Sequence, residues 1–320
     1  MVPTAGDWRW RLLSVYLGDS KRELVVRPLQ ADLELWELSP AGFLIVDSST
    51  LTVLEYCLTS PSPFSDQISS DLYYLGLGGY VVGRGTTTVN VLNGQQADLA
   101  SARAFGVDVA AMVKERAVVN PEIVKWVTTE PDAKLSMSAS KPVVASAVMK
   151  YVPDYGYITG CYVYPNTLGN CGWIAGSIIT RFWHARNISK NLLPSGYRSG
   201  TNLTSSPNFA EYLRGTNGYS TWAPDLYDRL LWNAGLQGVS AGAGWSLGNV
   251  GVTGNISNNI PVIIFGALPT IGGSGYSAHA VVAYGYTTNY ESIVHYGYPG
   301  YTHVVLNDGV IGSNTRFWVN

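Results

Sequence analysis

The spacing of apolar and polar residues predicts three long helices. Apolar side chains recur every three or four positions in residues 95–117 and 172–186, which is the spacing of a helix with a buried face. Residues 223–236 follow the same spacing, with Asp225 as the predicted N-cap and Gly235 as the predicted stop.

Shorter β-branched and aromatic stretches predict strands. Residues 42–58 predict two strands joined by a turn around Asp47, and the glycine-rich residues 73–94 predict further strands and turns. Ahead of them, residues 24–38 predict a helix interrupted at Pro28. In the second half of the chain, strands are predicted at residues 259–268, 279–286, 291–298, 302–308 and 315–320. Helices followed by consecutive strands with short turns predict an α+β fold with an antiparallel sheet.

Charged residues are distributed unevenly along the chain, which indicates two domains. Residues 1–150 hold 13 Lys and Arg and 16 Asp and Glu, whereas residues 151–320 hold only 7 and 6 and are rich in Gly, Asn, Ser and Tyr. The stretch 128–147 is small, polar and punctuated by proline, which is typical of a linker. We therefore predict an N-terminal domain over 1–127, this linker, and a C-terminal domain over 148–320.

The overall composition argues against several classes of protein. With 46% hydrophobic and 13% charged residues, the chain can form a large core. A net charge of −2 argues against nucleic acid as a partner, and no apolar run reaches the roughly 18 residues of a membrane span. The first residues lack the apolar segment of a secretory signal. The neutral, aromatic second half favours a secreted protein whose signal precedes this sequence, with a cytosolic location as the alternative.

Cys171 is the candidate nucleophile. It follows Asn170 directly before a predicted helix, where unpaired main-chain N–H groups favour a thiolate and can bind an oxyanion. A cysteine that only packs is the alternative, and Cys57 is expected to be one. Cys161 is a second candidate, although no helical spacing follows it directly. The chain has no Cys-x-x-Cys pair and its four histidines lack ligand spacing, so we expect neither a metal nor a cofactor.

Two histidines of the predicted sheet are candidates to activate this thiol. His279 stands at the start of an apolar strand, behind a glycine-rich lead that includes Gly273 and leaves space for a substrate. His295 would lie beside His279 if their two strands form a hairpin, and it would then orient the His279 ring. Trp245, in an expected glycine-rich loop, is the tryptophan best placed to line a substrate cleft.

Four segments of the second half together resemble a known family. The segments "GNCGWIAGSIITRFW", "NNIPVIIFGA", "SAHAVVAYGY" and "IVHYGYPGY", in this order, are similar to papain-fold cysteine peptidases, above all the streptopain family and the related double-glycine peptidase-like proteins of bacteria. The resemblance covers residues 148–320 and, more weakly, residues 34–64, which look like a streptopain-type propeptide. It implies a bacterial zymogen whose N-terminal domain acts as an intramolecular inhibitor until the linker is cleaved.

The resemblance also implies how the substrate oxyanion is held. Cys171 carries over as the nucleophile and His279 as the base, and the Cys171 N–H would be one oxyanion donor. The family usually adds a glutamine a few residues upstream, and this chain has none there. Asn166 is the nearest amide that would replace it, with Asn170 second.

A further departure concerns the group that orients the base. The family usually has Asn or Asp before an aromatic residue and a glycine, whereas this chain has His295 before Tyr296. A neutral histidine can accept a hydrogen bond, but it supplies no negative charge to stabilise an imidazolium. Asn307 and Asp308, on the following predicted strand, are alternative orienters.

Three functions from different classes follow from these residues. The first is a cysteine peptidase that cleaves proteins or peptides and is made as a zymogen. The second is an acyltransferase or transglutaminase-like enzyme, which would use the same Cys–His pair with an amine as acceptor. The third is a binding protein on a degenerate papain fold, which the missing glutamine and His295 favour.

Overall fold

A computed structural model of the chain combines helices with a large antiparallel sheet, which confirms a mixed α+β protein. The structure describes residues 1–4, 7–18, 22–67, 71–129, 148–161, 170–219, 221–266 and 279–320. Most of the predicted linker therefore lies outside the described residues. Within these ranges, none of the helices has the length and apolar character needed to cross a membrane.

The N-terminal half begins with a helix, continues with strands and ends with two helices. The helices are α1 (Trp8–Leu17), α2 (Leu99–Arg116) and α3 (Pro121–Thr128). The strands are β1 (Glu23–Pro28), β2 (Leu33–Ser39), β3 (Phe43–Asp47), β4 (Thr52–Cys57), β5 (Leu72–Tyr74), β6 (Tyr80–Arg84), β7 (Thr87–Asn90) and β8 (Gln96–Asp98). Side-chain caps set the helix starts: Asp98 accepts from the N–H of Ser101, and Asn120 accepts from the N–H groups of Glu122 and Ile123.

The C-terminal half is built around one buried helix. The helices are α4 (Gly156–Thr159), α5 (Cys171–Arg186), α6 (Ser206–Arg214), α7 (Ala223–Leu236) and α8 (Val252–Ser257). The strands are β9 (Val148–Tyr151), β10 (Arg198–Ser199), β11 (Asn202–Leu203), β12 (Ala241–Leu247), β13 (Val262–Gly266), β14 (Ala280–Thr287), β15 (Ser292–His295), β16 (Val304–Leu306) and β17 (Ile311–Val319). From Gly172 to Ala185 every residue of α5 is buried, so this helix is enclosed on all sides.

One sheet continues through both halves of the chain. Its strands follow the order β1-β2-β3-β4-β16-β15-β14-β13-β17-β12, and β9 pairs with β14. The halves join at the antiparallel pair β4–β16, where Glu55 faces Leu306 and Tyr56 faces Val305. Strands β5 to β8 form a separate sheet in the N-terminal half. Buried apolar residues from both halves belong to one core cluster.

Residues 24–38 form strands, so the helix predicted there is wrong. Strands β1 and β2 make a hairpin whose turn contains Ala31 in the left-handed region, with φ of 51°. The side chain of Gln30, in the same turn, accepts from the N–H of Tyr74 at 2.9 Å and donates to the Tyr74 carbonyl. Buried and exposed residues alternate along most of β1, which is the period of a strand.

Most other predicted elements are confirmed, but the predicted capping residues of α7 are not. The helices expected in 95–117, 172–186 and 223–236 are α2, α5 and α7, and every predicted strand of the second half is present. Asp225 lies inside the first turn of α7, behind Pro224, and Trp222 occupies the N-cap position. Gly235 lies inside the helix as well.

Candidate functional site

Cys171 is the first residue of α5, as its sequence predicts. The main-chain N–H groups of Ala280, Gly172 and Cys171 itself lie close enough to the sulfur to act on it as hydrogen-bond donors. These bonds favour the thiolate, but burial outweighs them and raises the pKa of the thiol to about 11. Some of the residue's surface remains exposed. In this conformation the sulfur is therefore a neutral thiol at neutral pH.

The start of α5 packs closely against the sheet because residue 172 is a glycine. A Cβ on Gly172 would lie 2.1 Å from Cγ2 of Thr221 and 3.4 Å from Cε1 of Phe265. Phe265, on β13, pairs directly with Ala280 at the start of β14. The helix start and the beginning of β14 therefore meet at this point of the fold.

His279, directly ahead of β14, is held by a main-chain carbonyl. Its Nε2 lies 2.8 Å from the carbonyl oxygen of Tyr296. Because a carbonyl can only accept, Nε2 carries the proton, and the neutral ring keeps an unprotonated Nδ1. Burial lowers the pKa of His279 to about 4, partly opposed by this bond. The ring is thus a neutral base whose lone pair lies on Nδ1.

The fold brings the two candidate catalytic residues to one place. The Cys171 sulfur interacts with the N–H of Ala280, the residue that follows His279. The predicted thiol and imidazole therefore lie in the same part of the structure, although they are more than a hundred positions apart in the sequence. The thiol and the imidazole are both neutral in this conformation, because burial disfavours the charged form of each.

His295 does not make the contact with His279 that we predicted. Strands β14 and β15 pair as expected, but His295 faces Val282 across the ladder. Nδ1 of His295 accepts from the N–H of Gly297 at 2.8 Å, so Nε2 carries the proton. This fully buried Nε2 has no hydrogen-bond partner among the described residues. The carbonyl of Tyr296 holds His279 instead, and a main-chain group of this kind leaves no signal in the sequence.

The alternative orienters are engaged with other residues. Asn307 holds the main chain of Val118, in the N-terminal half, through both atoms of its amide. Asp308 accepts a hydrogen bond from Asn249 at 2.5 Å, and burial raises its pKa. The structure therefore gives both residues partners away from His279.

The remaining predicted residues are Asn170, Asn166, Gly273 and Cys161. Asn170, at the N-cap of α5, directs Nδ2 to Oε1 of Glu211 at 3.4 Å rather than capping the helix with its side chain. Asn166 and Gly273 lie outside the described residues. Cys161 is buried, its sulfur lies 3.8 Å from Oγ of Ser206, and burial raises its pKa.

A cavity of about 830 Å³ opens beside the start of α5. Trp245, Trp222 and Leu247 are exposed residues of its wall, and Thr221 and Phe265, which approach Gly172, belong to it as well. Trp245 lies on the edge strand β12 rather than in the loop that we expected. The walls are mainly apolar, and the cavity is large enough for one or two bulky side chains.

A turn of the N-terminal half covers the imidazole. Gly78 lies in the turn between β5 and β6, and a Cβ there would be 2.5 Å from Cδ2 of His279. The carbonyl of Gly78 accepts from the buried side chain of Asn90 at 3.0 Å, which fixes the turn. Tyr298 stacks on the imidazole with ring centroids 5.2 Å apart. Only 7% of His279 is exposed, so the ring is largely covered in this conformation.

Comparisons with known proteins assign no family. No family model matches the sequence, and no curated protein matches it. Among solved structures, the chain is similar to a fragment of prointerpain A from Prevotella intermedia, with a TM-score of 0.44 and 10% identity over 92% of this chain and 98% of that one. At this distance the likeness carries no inference about activity, which has to come from the chain's own geometry. Among the described residues, no three His, Cys, Asp or Glu side chains are grouped to hold a metal ion.

Proposed function

We propose that this chain is the inactive precursor of a papain-like cysteine peptidase, with Cys171 as nucleophile and His279 as general base. The observation that carries the proposal is the position of the Cys171 sulfur. It lies at the start of a buried helix and against the N–H of Ala280, next to a histidine whose Nδ1 is unprotonated. A thiol at a helix start beside a rigidly held base is the arrangement that nucleophilic catalysis requires.

The same residues account for each proton in peptide-bond hydrolysis. Nδ1 of His279 takes the proton of Cys171 as the sulfur attacks the peptide carbonyl. The N–H of Cys171 then donates to the oxyanion of the tetrahedral intermediate. His279 returns the proton to the leaving amine, which breaks the C–N bond and leaves a thioester. Water, deprotonated by His279, hydrolyses this thioester and regenerates the thiol. Substrate side chains that are apolar fit the cavity beside Trp245.

The precursor state is supported by the cover over the base and by the charge state of the pair. Gly78 lies against the imidazole, so the N-terminal half covers the base while it is in place. Burial holds the pKa of Cys171 at about 11 and that of His279 at about 4, so the closed site contains no thiolate–imidazolium pair. Removal of the N-terminal half hydrates the site and relaxes both shifts. Cleavage in the predicted linker would be the first step of activation, before the N-terminal half leaves, and a secreted bacterial protein is the setting that the sequence favours.

The proposal is tested by Cys171→Ala, with Cys161→Ala as the matched control. We expect Cys171→Ala to abolish self-cleavage between residues 128 and 147, hydrolysis of a denatured protein substrate, and active-site labelling by iodoacetamide. Cys161→Ala should retain all three, because Cys161 is buried beside Ser206. Gel electrophoresis and mass spectrometry report the outcome. Unchanged cleavage in Cys171→Ala would exclude this residue as the nucleophile.

One observation favours a non-enzymatic alternative. The neutral thiol and imidazole, together with a His295 Nε2 that has no hydrogen-bond partner in the described part of the chain, also suit a binding protein that has lost its chemistry. A Cys171 that stays unreactive after the N-terminal half has been removed would support it. If the thiol reacts, adding a primary amine to the assay separates a peptidase from an acyltransferase, since only the latter transfers the acyl group to the amine.

A further inference from the structure

The main chain that joins α2 to α3 is bound by a side chain of the C-terminal half. We call residues 117–120 the connector. The N–H of Val118 donates to Oδ1 of Asn307 at 3.0 Å, and Nδ2 of Asn307 donates to the carbonyl of Val118 at 3.1 Å. One amide side chain therefore satisfies both main-chain groups of one residue, as a neighbouring residue does in an antiparallel strand pair.

Other hydrogen bonds of Asn307 hold its side-chain amide in the orientation that binds Val118. Its Oδ1 also accepts from the N–H of Gly309 at 3.0 Å, and only 6% of the residue is exposed. Its own N–H donates to the carbonyl of Leu54 at 2.8 Å, immediately ahead of the β4–β16 pair. The amide is therefore oriented before the connector binds, which reduces the entropy lost on binding.

Gly309 provides the space that the connector occupies. A Cβ on Gly309 would lie 2.6 Å from both Cα and N of Ala117, and these main-chain atoms cannot rotate away. Gly309 does not have a left-handed backbone, so its conformation does not itself require glycine. Because residue 309 has no side chain, the main chain of Ala117 in the N-terminal half can pack directly against it.

We propose that Asn307 and Gly309 form a docking site for an extended main chain that keeps the N-terminal half bound after the chain is cut between residues 130 and 147. The partner is the connector of the same protein, recognised through its main chain rather than through its side chains. Arg116 and Val118 also line the cavity beside Trp245, so departure of the connector widens that cavity. The biological use of this retention rests on the proposed precursor role, whereas the docking itself does not.

The docking is tested in a chain that cannot cut itself. The full chain carries Cys171→Ser and the recognition sequence of a site-specific protease within residues 130–147. After cutting, the C-terminal fragment is immobilised through a terminal tag, and release of the N-terminal fragment is followed over time. Asn307→Asp keeps the acceptor for Gly309 but places an oxygen against the carbonyl of Val118, and Gly309→Ala removes the space for Ala117. Gly254→Ala is the control, because a Cβ there meets no atom within 4 Å.

We expect the two fragments to stay associated in the cut parent and in Gly254→Ala. Both docking variants should release the N-terminal fragment at least about 10-fold faster, because each loses a hydrogen bond or gains a main-chain clash. Hydrogen exchange of the Val118 amide in the uncut chain is the second measurement, with protection in the parent and faster exchange in the variants. Equal release rates, immediate dissociation of the cut parent, or an unprotected Val118 amide in the parent would each overturn the proposal. Because Cys171→Ser is inactive by design, failure of the peptidase proposal leaves these outcomes unaffected.

Discussion

At the scale of single residues, the environment of the His279 ring decides what the site does in the intact chain. The ring has the Tyr296 carbonyl at Nε2, the Tyr298 ring on one face and Gly78 against its carbon atoms. Two of these three contacts hold the base in place and belong to the C-terminal half. The third comes from the N-terminal half and closes the site. The position of the imidazole and the access to it therefore depend on different halves of the chain.

Gly78→Ala is predicted to expose the base. A methyl group at residue 78 cannot coexist with the imidazole in its present place, so the turn between β5 and β6 should move away. We expect the rate of Cys171 alkylation by iodoacetamide in the uncut chain to rise about 10-fold, which corresponds to roughly 1.4 kcal/mol. The rate is measured by mass spectrometry of the labelled peptide.

Gly85→Ala is the matched control for this prediction. Gly85 lies in the next turn of the same sheet and has φ of 66°, close to the 69° of Gly78, but a Cβ there meets no atom within 4 Å. Both substitutions therefore carry the same left-handed strain, of about 1 kcal/mol, and only one touches His279. Equal alkylation rates in the two variants would show that Gly78 does not guard the site.

At the scale of elements, α5 connects the nucleophile to the core of the C-terminal half. Gly176 lies in its second turn, where a Cβ would meet Cδ1 of Leu226 at 2.9 Å and Cδ1 of Leu213 at 3.4 Å. Helices α6 and α7 therefore pack directly on the main chain of α5. Because Cys171 is the first residue of α5, we expect looser packing of this helix to displace Cys171 from Ala280.

The pair Gly176→Ala and Gly235→Ala measures this packing. Both glycines are helical, so alanine gains about 0.5–1 kcal/mol of intrinsic helix stability at each. We expect that gain at Gly235, in α7, where a Cβ meets no atom within 4 Å. At Gly176 the clash with two leucines should outweigh it and destabilise the protein by about 1–3 kcal/mol. Urea unfolding compares the two variants, and a stabilised Gly176→Ala would contradict close packing of α5.

The secondary structure was predictable wherever the local pattern had one interpretation. Helix α5 and strands β13 to β17 follow from helical spacing, β-branched runs and turn residues. Residues 24–38 were not predictable in this way, because the hairpin turn there depends on contacts of Gln30 with Tyr74, 44 positions away. Helices α1, α3, α4, α6 and α8 were not predicted, since short elements are stabilised mainly by tertiary packing.

At the scale of the whole molecule, ionisable groups are buried where the two halves meet. Glu55, on β4, is fully buried and accepts from the Tyr74 hydroxyl at 2.9 Å. Burial raises its pKa to about 8, and the hydrogen bond from Tyr74 opposes the shift. Glu291, buried in the loop ahead of β15, has a pKa raised to about 7 by the same cause. The join between the halves therefore contains carboxyl groups that are costly to ionise.

The contribution of Glu55 to the free energy of unfolding is therefore predicted to fall as pH rises. The unfolded chain releases the Glu55 proton near pH 4.5, whereas the folded chain keeps it up to about pH 8. Between these values the unfolded state binds fewer protons, so stability is fully present below about pH 4.5 and is lost as pH approaches 8. The contribution of Glu55 between pH 5 and 8 is on the order of 3 kcal/mol.

Glu55→Gln isolates this contribution. Glutamine keeps the acceptor for Tyr74 and does not ionise, and the contribution of Glu291 is present in both proteins and cancels. We expect the variant to gain stability relative to the parent as pH rises from 5 to 8, as measured by urea unfolding at each pH. Parallel curves for the two proteins would mean that Glu55 is not a buried acid. Buried His279 and His295, with pKa values lowered to about 4, act in the opposite direction below pH 6.5 and are unchanged by the substitution.

The sequence by itself determined the two candidate reactive groups and the elements that carry them. A cysteine at the start of an apolar helix and a histidine at the start of an apolar strand are local features, readable within a few residues of each. The tertiary structure alone decided which groups hold and cover them. The Tyr296 carbonyl has no side-chain signature, Asn307 meets Val118 across 189 positions, and β4 joins β16 across the predicted linker. These contacts depend on how distant segments pack together, which local spacing does not encode.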